Sequence, residues 1–253
     1  MVLFTYKIAG EIMFSVSIVM PVTDESDTLV SAVDRVLKKG NAEDICEIIF
    51  VTWDKTTPES LAALDEIIHK YPDVSITAHK QSSPGIRGAL YESLYLAKGT
   101  HVAHFTGDED TDPDVLIRMI AVSKQNPDAV VIASRWIKGG GFEGYGFFNR
   151  LCNCGFQQLL RILYGGDVHD YTYSFRIFPT ESMKRISWDR EGFPVVLENT
   201  LKLRRLGYSF IEVPAVWRGR SQGESRNSFL LKMKYLPVVF DVRFKKLDNL
   251  LKK

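Results

Sequence analysis

Four carboxyl side chains crowd into five positions of Thr106-Gly107-Asp108-Glu109-Asp110-Thr111-Asp112-Pro113. Such a run repels itself unless a cation is present, and carboxylate oxygens suit a hard divalent ion such as Mg2+ or Mn2+. An ion bound there can hold a diphosphate and neutralise a departing nucleotide. The same residues also suit the start of a helix, whose dipole favours Asp and Glu. A second segment, Gly85-Ile86-Arg87-Gly88-Ala89, offers backbone that a phosphate can approach at a helix start. It lacks the third glycine of the dinucleotide fingerprint and follows a third strand rather than a first, which argues against a dehydrogenase. Asp170-Tyr171-Thr172-Tyr173-Ser174-Phe175-Arg176 mixes charge, hydroxyls and aromatics, a composition equally at home in a structural corner. Arg135, Arg150, Arg218, Arg220 and Arg226 carry guanidinium forks suited to phosphates. His101 and His104, three apart on a strand, point to opposite faces and are expected to pack rather than share a metal. The four tryptophans read as core or rim, with Trp53 placed where it can stack on a base.

These residues need a frame, and the apolar pattern supplies one. Phe14 to Met20 stops at Pro21, and Ser26 or Asp27 can cap a helix carrying Leu29, Val33, Val36 and Leu37 on one face. Ile48 to Val51 is a second strand, and Pro58 to Lys70 a helix with Leu61, Leu64, Ile67 and Ile68 inward. Val74 to Ala78, His101 to Phe105 and Ala129 to Ala133 are further strands, separated by a helix from the Gly85 loop to Lys98 and another opened by Pro113. This alternation predicts an α/β fold: a mostly parallel sheet with helices on both faces, binding ligands beyond the carboxyl ends of its strands. The acidic run and the segments from Pro21 to Glu25 and from Thr52 to Lys55 all fall at such ends. The second half, including a helix near Phe147 to Leu163 and strands at Ser174 to Phe178 and Tyr208 to Val213, reads as an elaboration that completes the site.

The 253 residues suit one α/β domain with or without a short appendage. A formal charge of +1 argues against general nucleic-acid binding. It hides an asymmetry: Arg226 to Lys253 holds eight Lys/Arg against two Asp, a net of +6, and the rest is at −5. Three cysteines without a zinc pattern suggest a reduced compartment. The N-terminus has no signal-peptide pattern, and no apolar run reaches the roughly 20 residues that span a bilayer.

Taken in order, the motifs resemble the family-2 glycosyltransferases of the GT-A fold, most closely the polyprenol-phosphate sugar synthases, from about Val16 to about Phe229. The family's P-x-Y-N-E stands as Pro21-Val22-Thr23-Asp24-Glu25, its G-x-x-x-A as Gly85 to Ala89, and its A-x-G as Ala97 to Gly99. Its G-T/S-R is Ala133-Ser134-Arg135, followed by a Gly-rich loop and a basic helix with Arg150. D-x-T-G-S-F-R resembles Asp170 to Arg176. The closing E-V-P motif resembles Glu212-Val213-Pro214 through Trp217, Arg220, Gly223, Glu224, Ser225 and Arg226. Two departures stand out. The nucleoside motif V-D-D-G-S is Val51-Thr52-Trp53-Asp54-Lys55, and the metal motif D-A-D-L-Q aligns as Thr106 to Asp110.

The resemblance implies an inverting transferase that uses a nucleotide diphosphate sugar. It places Pro21, Thr23, Glu25, Thr52, Asp54, Gly85 and Arg220 at the donor, and Mg2+ or Mn2+ at Asp108 and Asp110, with Asp110 and Asp112 as an alternative register. A polyprenyl phosphate acceptor, already anionic, needs no base but needs cations, which Arg135, Arg150 and Arg176 would supply. A hydroxyl acceptor on a glycan or small molecule needs a base, for which Asp170 and Glu198 are the candidates. The loss of two aspartates also leaves open a non-catalytic nucleotide-sugar binder. Residues 1–225 are the expected catalytic domain. Residues 226–253, where Phe229, Leu230, Met233, Leu236, Val239 and Phe240 interleave with lysines, are an expected amphipathic basic helix. It would lie on the cytoplasmic face of a membrane as a peripheral contact or, alternatively, pack on the domain or a partner.

Overall fold

The computed structural model describes residues 13–108, 110–219 and 234–252. Seven strands form one sheet in the order β3-β2-β1-β4-β7-β5-β8. They are β1 (Val16–Pro21), β2 (Ile45–Thr52), β3 (Ile76–Lys80), β4 (His101–His104), β5 (Val130–Ser134), β7 (Arg176–Pro179) and β8 (Phe210–Pro214). A separate parallel pair joins β6 (Gly141–Glu143) to β9 (Val216–Arg218). Among the strands of the large sheet only β7 runs antiparallel, against both β4 and β5. The segments expected to elaborate the fold are therefore built into its sheet: β7 separates β4 from β5, and β8 extends β5. β3 starts two residues later than its apolar pattern suggests.

The strands are near-continuous apolar runs because both faces are covered. Alternate residues serve two cores. Ile18, Met20, Ile48 and Phe50 meet α1 (Asp27–Lys39), α2 (Pro58–Lys70) and α4 (Asp114–Gln125). Val19, Ile49 and Val51 meet the opposite layer of α3 (Gly85–Leu96), α5 (Phe147–Tyr164), α6 (Thr180–Arg185) and α7 (Pro194–Arg205). Leu61 corrects the sequence reading: it points outward from α2, and Ala63 takes the inward position. His101 and His104 are both buried, against Phe14 and Phe178 respectively.

The described part of the C-terminal segment is not a free appendage. Helix α8 (Tyr235–Phe244) buries Val238, Val239 and Val242 in the α7 layer. The Tyr164 hydroxyl donates to the Val239 carbonyl at 2.5 Å, and Arg205 donates to the Val242 carbonyl at 2.7 Å. Leu251 bridges Ile186, and the Lys252 amide donates to the Arg185 carbonyl. Thus Val239, expected on a lipid-facing stripe, faces the core, while Phe240, Phe244 and Leu247 face outward. Phe229, Leu230, Met233 and most of the motif after Arg218 lie outside the described residues. Among those described, no helix is long and apolar enough to cross a membrane.

Candidate active site

The chain leaves β1 for β2 and β3 on one side, then crosses to β4 on the other. The β1/β4 crevice at the carboxyl ends is consequently a topological switch point, where ligands of such sheets bind. Beyond β1 and β2 the loops are tied together through small hydroxyls. Trp53 Nε1 donates to Thr23 Oγ1 at 3.1 Å, and Thr56 Oγ1 donates to the Val22 carbonyl at 2.8 Å. Glu25 folds back on its own turn, accepting the Thr23 and Asp24 amides at 2.7 and 3.1 Å. Pro21 ends β1 beside it. Thr52 is buried, with its hydroxyl toward the His79 carbonyl. Asp54 is exposed and pairs with Lys80 at 2.8 Å, which holds its carboxyl below the usual range.

Gly85, at a φ of +77°, turns the chain into α3, a conformation that favours glycine. The preceding residues are held by Glu92 of α3, which accepts the Ser82 and Ser83 amides, the Ser82 hydroxyl and His79 Nε2. Burial would raise the Glu92 carboxyl, but His79 and these amides outweigh it and hold it at about 2.

The acidic loop leaves β4 and presses on α1. A Cβ on Gly107 would sit 2.5 Å from Leu29 Cδ1, so glycine permits this approach. Asp108 Oδ1 accepts Thr106 Oγ1 at 2.9 Å. Asp110 accepts Trp217 Nε1 at 3.2 Å, and its carbonyl accepts the Arg218 amide, so β9 fixes the loop from outside. Asp112 instead accepts the Asp114 amide at 2.9 Å and pairs with Arg35 at 3.2 Å. Among the described residues no three His, Cys, Asp or Glu converge on one point. Two carboxylates are nevertheless a fitting donor set for Mg2+ or Mn2+, ions that take one or two protein carboxylates and leave the remaining positions to water and substrate phosphates.

On the other side of the acidic loop stands a cationic and aromatic cluster. Thr111 hydrogen-bonds Tyr173, whose ring lies 4.5 Å from the Arg135 guanidinium carbon. Arg135 forks onto Asp170, Nε to Oδ2 at 2.7 Å and Nη2 to Oδ1 at 2.8 Å. Gln157 of α5 and Thr172 brace the pair. Phe142 packs over Arg135 and, at 5.7 Å, under Arg150. The rings of Trp136, Phe142, Tyr145 and Trp217 run on as a chain of contacts with centroids 5.0 to 5.3 Å apart.

Three sequence expectations change on this geometry. Asp170 has no exposed surface; burial would raise its carboxyl, but the Arg135 charge and hydrogen bonds outweigh it and hold it below the ordinary value, unsuited to a base. Glu198 is equally buried inside α7, 3.0 Å from Lys202, and accepts the Asp189 and Arg190 amides. It braces the connection before α7 and cannot serve as a base from there. Arg176 donates to the Tyr173, Val196 and Tyr171 carbonyls at 2.5, 2.9 and 2.6 Å and is fully buried, a clasp rather than an acceptor ligand. Arg150 is exposed on α5 with no ion pair among the described residues. Arg220 lies outside them. Phe142 and Tyr145 join the site without having been singled out, and Tyr173 and Trp217, which stand inside motifs, join it in a role not assigned to them. Only their place in or near motifs hinted at it, since aromatics in loops usually pack.

A mostly parallel sheet with helices on both faces and a switch-point crevice at its carboxyl ends is an α/β architecture of the GT-A class. The family model for glycosyl transferase family 2 matches residues 17–187, and the chain belongs to that family. It is 27% identical over 217 residues to a dolichol-phosphate mannosyltransferase of Pyrococcus furiosus, covering 83% of this chain but only 58% of that protein's length. A polyprenol monophosphomannose synthase of Mycolicibacterium smegmatis is 25% identical, over 83% of this chain and 80% of that one. In fold, the chain is similar to glucosyl-3-phosphoglycerate synthase of Mycobacterium tuberculosis, solved with Mn2+, uridine diphosphate and phosphoglyceric acid. That match has a TM-score of 0.66 at 16% identity and covers 91% of this chain and 79% of that one.

Proposed function

We propose that the protein transfers a sugar from a nucleotide diphosphate sugar to a polyprenyl phosphate, with inversion, as a peripheral enzyme at the cytoplasmic face of a membrane. The state of the two candidate bases carries this reading. Asp170 and Glu198 are both buried and committed to cations, which disfavours an acceptor that must be deprotonated. Arg150 instead offers an exposed cation on the aromatic side of the crevice. The names of the two mannosyl-transferring relatives agree with a lipid-phosphate acceptor.

In this mechanism the nucleoside rests over the β1 and β2 ends, against Pro21, Thr23, Glu25, Thr52, Trp53 and Asp54, with Gly85 at the near helix start. Asp108 and Asp110 would hold Mg2+ or Mn2+, which supplies charge neutralisation at the diphosphate. An anionic acceptor oxygen, steered by Arg150, attacks the anomeric carbon from the face opposite the nucleotide. The bond to the diphosphate oxygen breaks, and the nucleoside diphosphate leaves with the electron pair. Arg135 keeps Asp170, Thr172 and Tyr173 in place as one wall. Arg220 is proposed at the donor diphosphate by motif alone.

The test is a transfer assay with Mn2+ and a panel of nucleotide sugars, offering in parallel a short polyprenyl phosphate, the matching polyprenol and small glycans. Transfer to the phosphate alone is expected. Transfer to hydroxyl acceptors alone would favour the soluble-acceptor reading, and donor binding with no transfer would favour a nucleotide-sugar binder.

A further inference from the structure

Apart from the exposed Gln158, helix α5 is apolar on the side turned away from the protein. Its inward side carries Gln157, Leu160 and Tyr164, all buried. At about 3.6 residues per turn, Phe147, Phe148, Leu151 and Ile162 fall on one opposite arc, where they are 82%, 68%, 58% and 81% exposed. Gly155 shares that arc, and a Cβ there would meet nothing within 4 Å. An ordinary surface helix puts its charges on this side; a helix apolar on both faces is normally covered on both.

Charge identifies what covers it. The 18 residues of α5 include Arg150 and Arg161 and no carboxylate. Eleven residues apart, these arginines share one flank of the helix at about 16 Å separation. Large apolar side chains outward with arginines along the flank are the pattern of a helix lying in a bilayer interface. A second copy of the chain fits less well. The outer strip measures about 27 Å by 10 Å, near 270 Å2, against about 800 Å2 per partner in a stable interface. The helix also offers no carboxylate to meet a partner's arginines.

We infer that the outer face of α5 docks on an anionic lipid bilayer, laying the Arg150 side of the crevice against the headgroup phosphates. The purpose of this contact, though not its existence, rests on the lipid-phosphate reading. The inner face of the same helix braces the site, since Asn153 accepts Trp136 Nε1 and Gln157 donates to Thr172. Docking therefore orients the crevice without a further moving part.

The test uses the full chain and phosphatidylcholine vesicles with or without phosphatidylserine, free of any polyprenyl phosphate. The wild type is expected to sediment with the anionic vesicles, less so in high salt. F147S/F148S should reduce this at least tenfold, while turnover with a water-soluble, short-chain phosphate acceptor and the circular dichroism spectrum stay unchanged. A wild type that ignores anionic vesicles overturns the inference. So does F147S/F148S sedimenting normally while F240S/F244S on α8 does not. A dimer in light scattering that F147S/F148S dissolves makes the occupant a second copy and equally overturns it. Normal sedimentation alongside transfer only to hydroxyl acceptors refutes the acceptor reading and leaves the docking face standing.

Discussion

Asp170→Asn separates a structural carboxylate from a catalytic one. In the folded protein Asp170 has no exposed side chain and Arg135 only 9%, joined by two hydrogen bonds of 2.7 and 2.8 Å. Removing the negative partner strands a guanidinium away from water, at a cost of about 3–5 kcal/mol. The Asp170 carboxylate also accepts the Arg135 and Tyr173 amides, which the amide oxygen of Asn can retain in part, so the lower end of that range is expected. Urea titration at pH 7 should show the loss as a fall in midpoint at constant slope. The double variant Arg135→Met/Asp170→Leu should regain part of it, because an apolar pair of similar size leaves no buried charge. The pH dependence has a definite sign. The carboxyl is held below its unfolded value, so the pair stabilises fully above about pH 4 and is lost as pH falls through the folded value. Asp170→Asn should flatten that acid limb. An unchanged urea midpoint with turnover down about 10²–10⁴-fold would show Asp170 acting as a base and would refute the reasoning.

Arg150→Ala should leave the urea midpoint within about 0.5 kcal/mol, since the residue is exposed, yet raise the KM for a phosphate acceptor with donor affinity intact, as paired kinetics and calorimetry would show. Asp108→Asn should abolish Mn2+-dependent donor binding and Asp110→Asn weaken it in calorimetric titration. Asp112→Asn should cost little binding because its carboxylate serves Arg35 and the Asp114 amide; an essential Asp112 with a dispensable Asp108 would shift the register. Gly107→Ala pushes a methyl to 2.5 Å from Leu29 Cδ1 and 3.1 Å from its Cα, and should cost about 1–3 kcal/mol in thermal or urea unfolding.

The strands and helices of the first half were legible because their order is a matter of periodicity: both-sided burial writes itself as runs such as Ile48 to Val51 and Val130 to Ile132. The carboxyl-end placement of Pro21 to Glu25, Thr52 to Asp54 and the acidic run follows from that order, as does the resemblance to a family by motif. Which strand lies beside which does not. The insertion of β7 between β4 and β5 depends on contacts more than 40 residues apart in sequence, and a short strand such as Arg176–Pro179 carries no mark of its direction. The state of each charge is likewise tertiary. Asp170, Glu198, Arg135 and Arg150 look equally available as letters. Lys202 meets Glu198 one helical turn away, a spacing visible in sequence, whereas Arg135 reaches Asp170 only through the fold; burial then withdraws both pairs from water, leaving Arg150 as the exposed cation among these four. Pairing and desolvation are properties of neighbours, and neighbours are what folding decides.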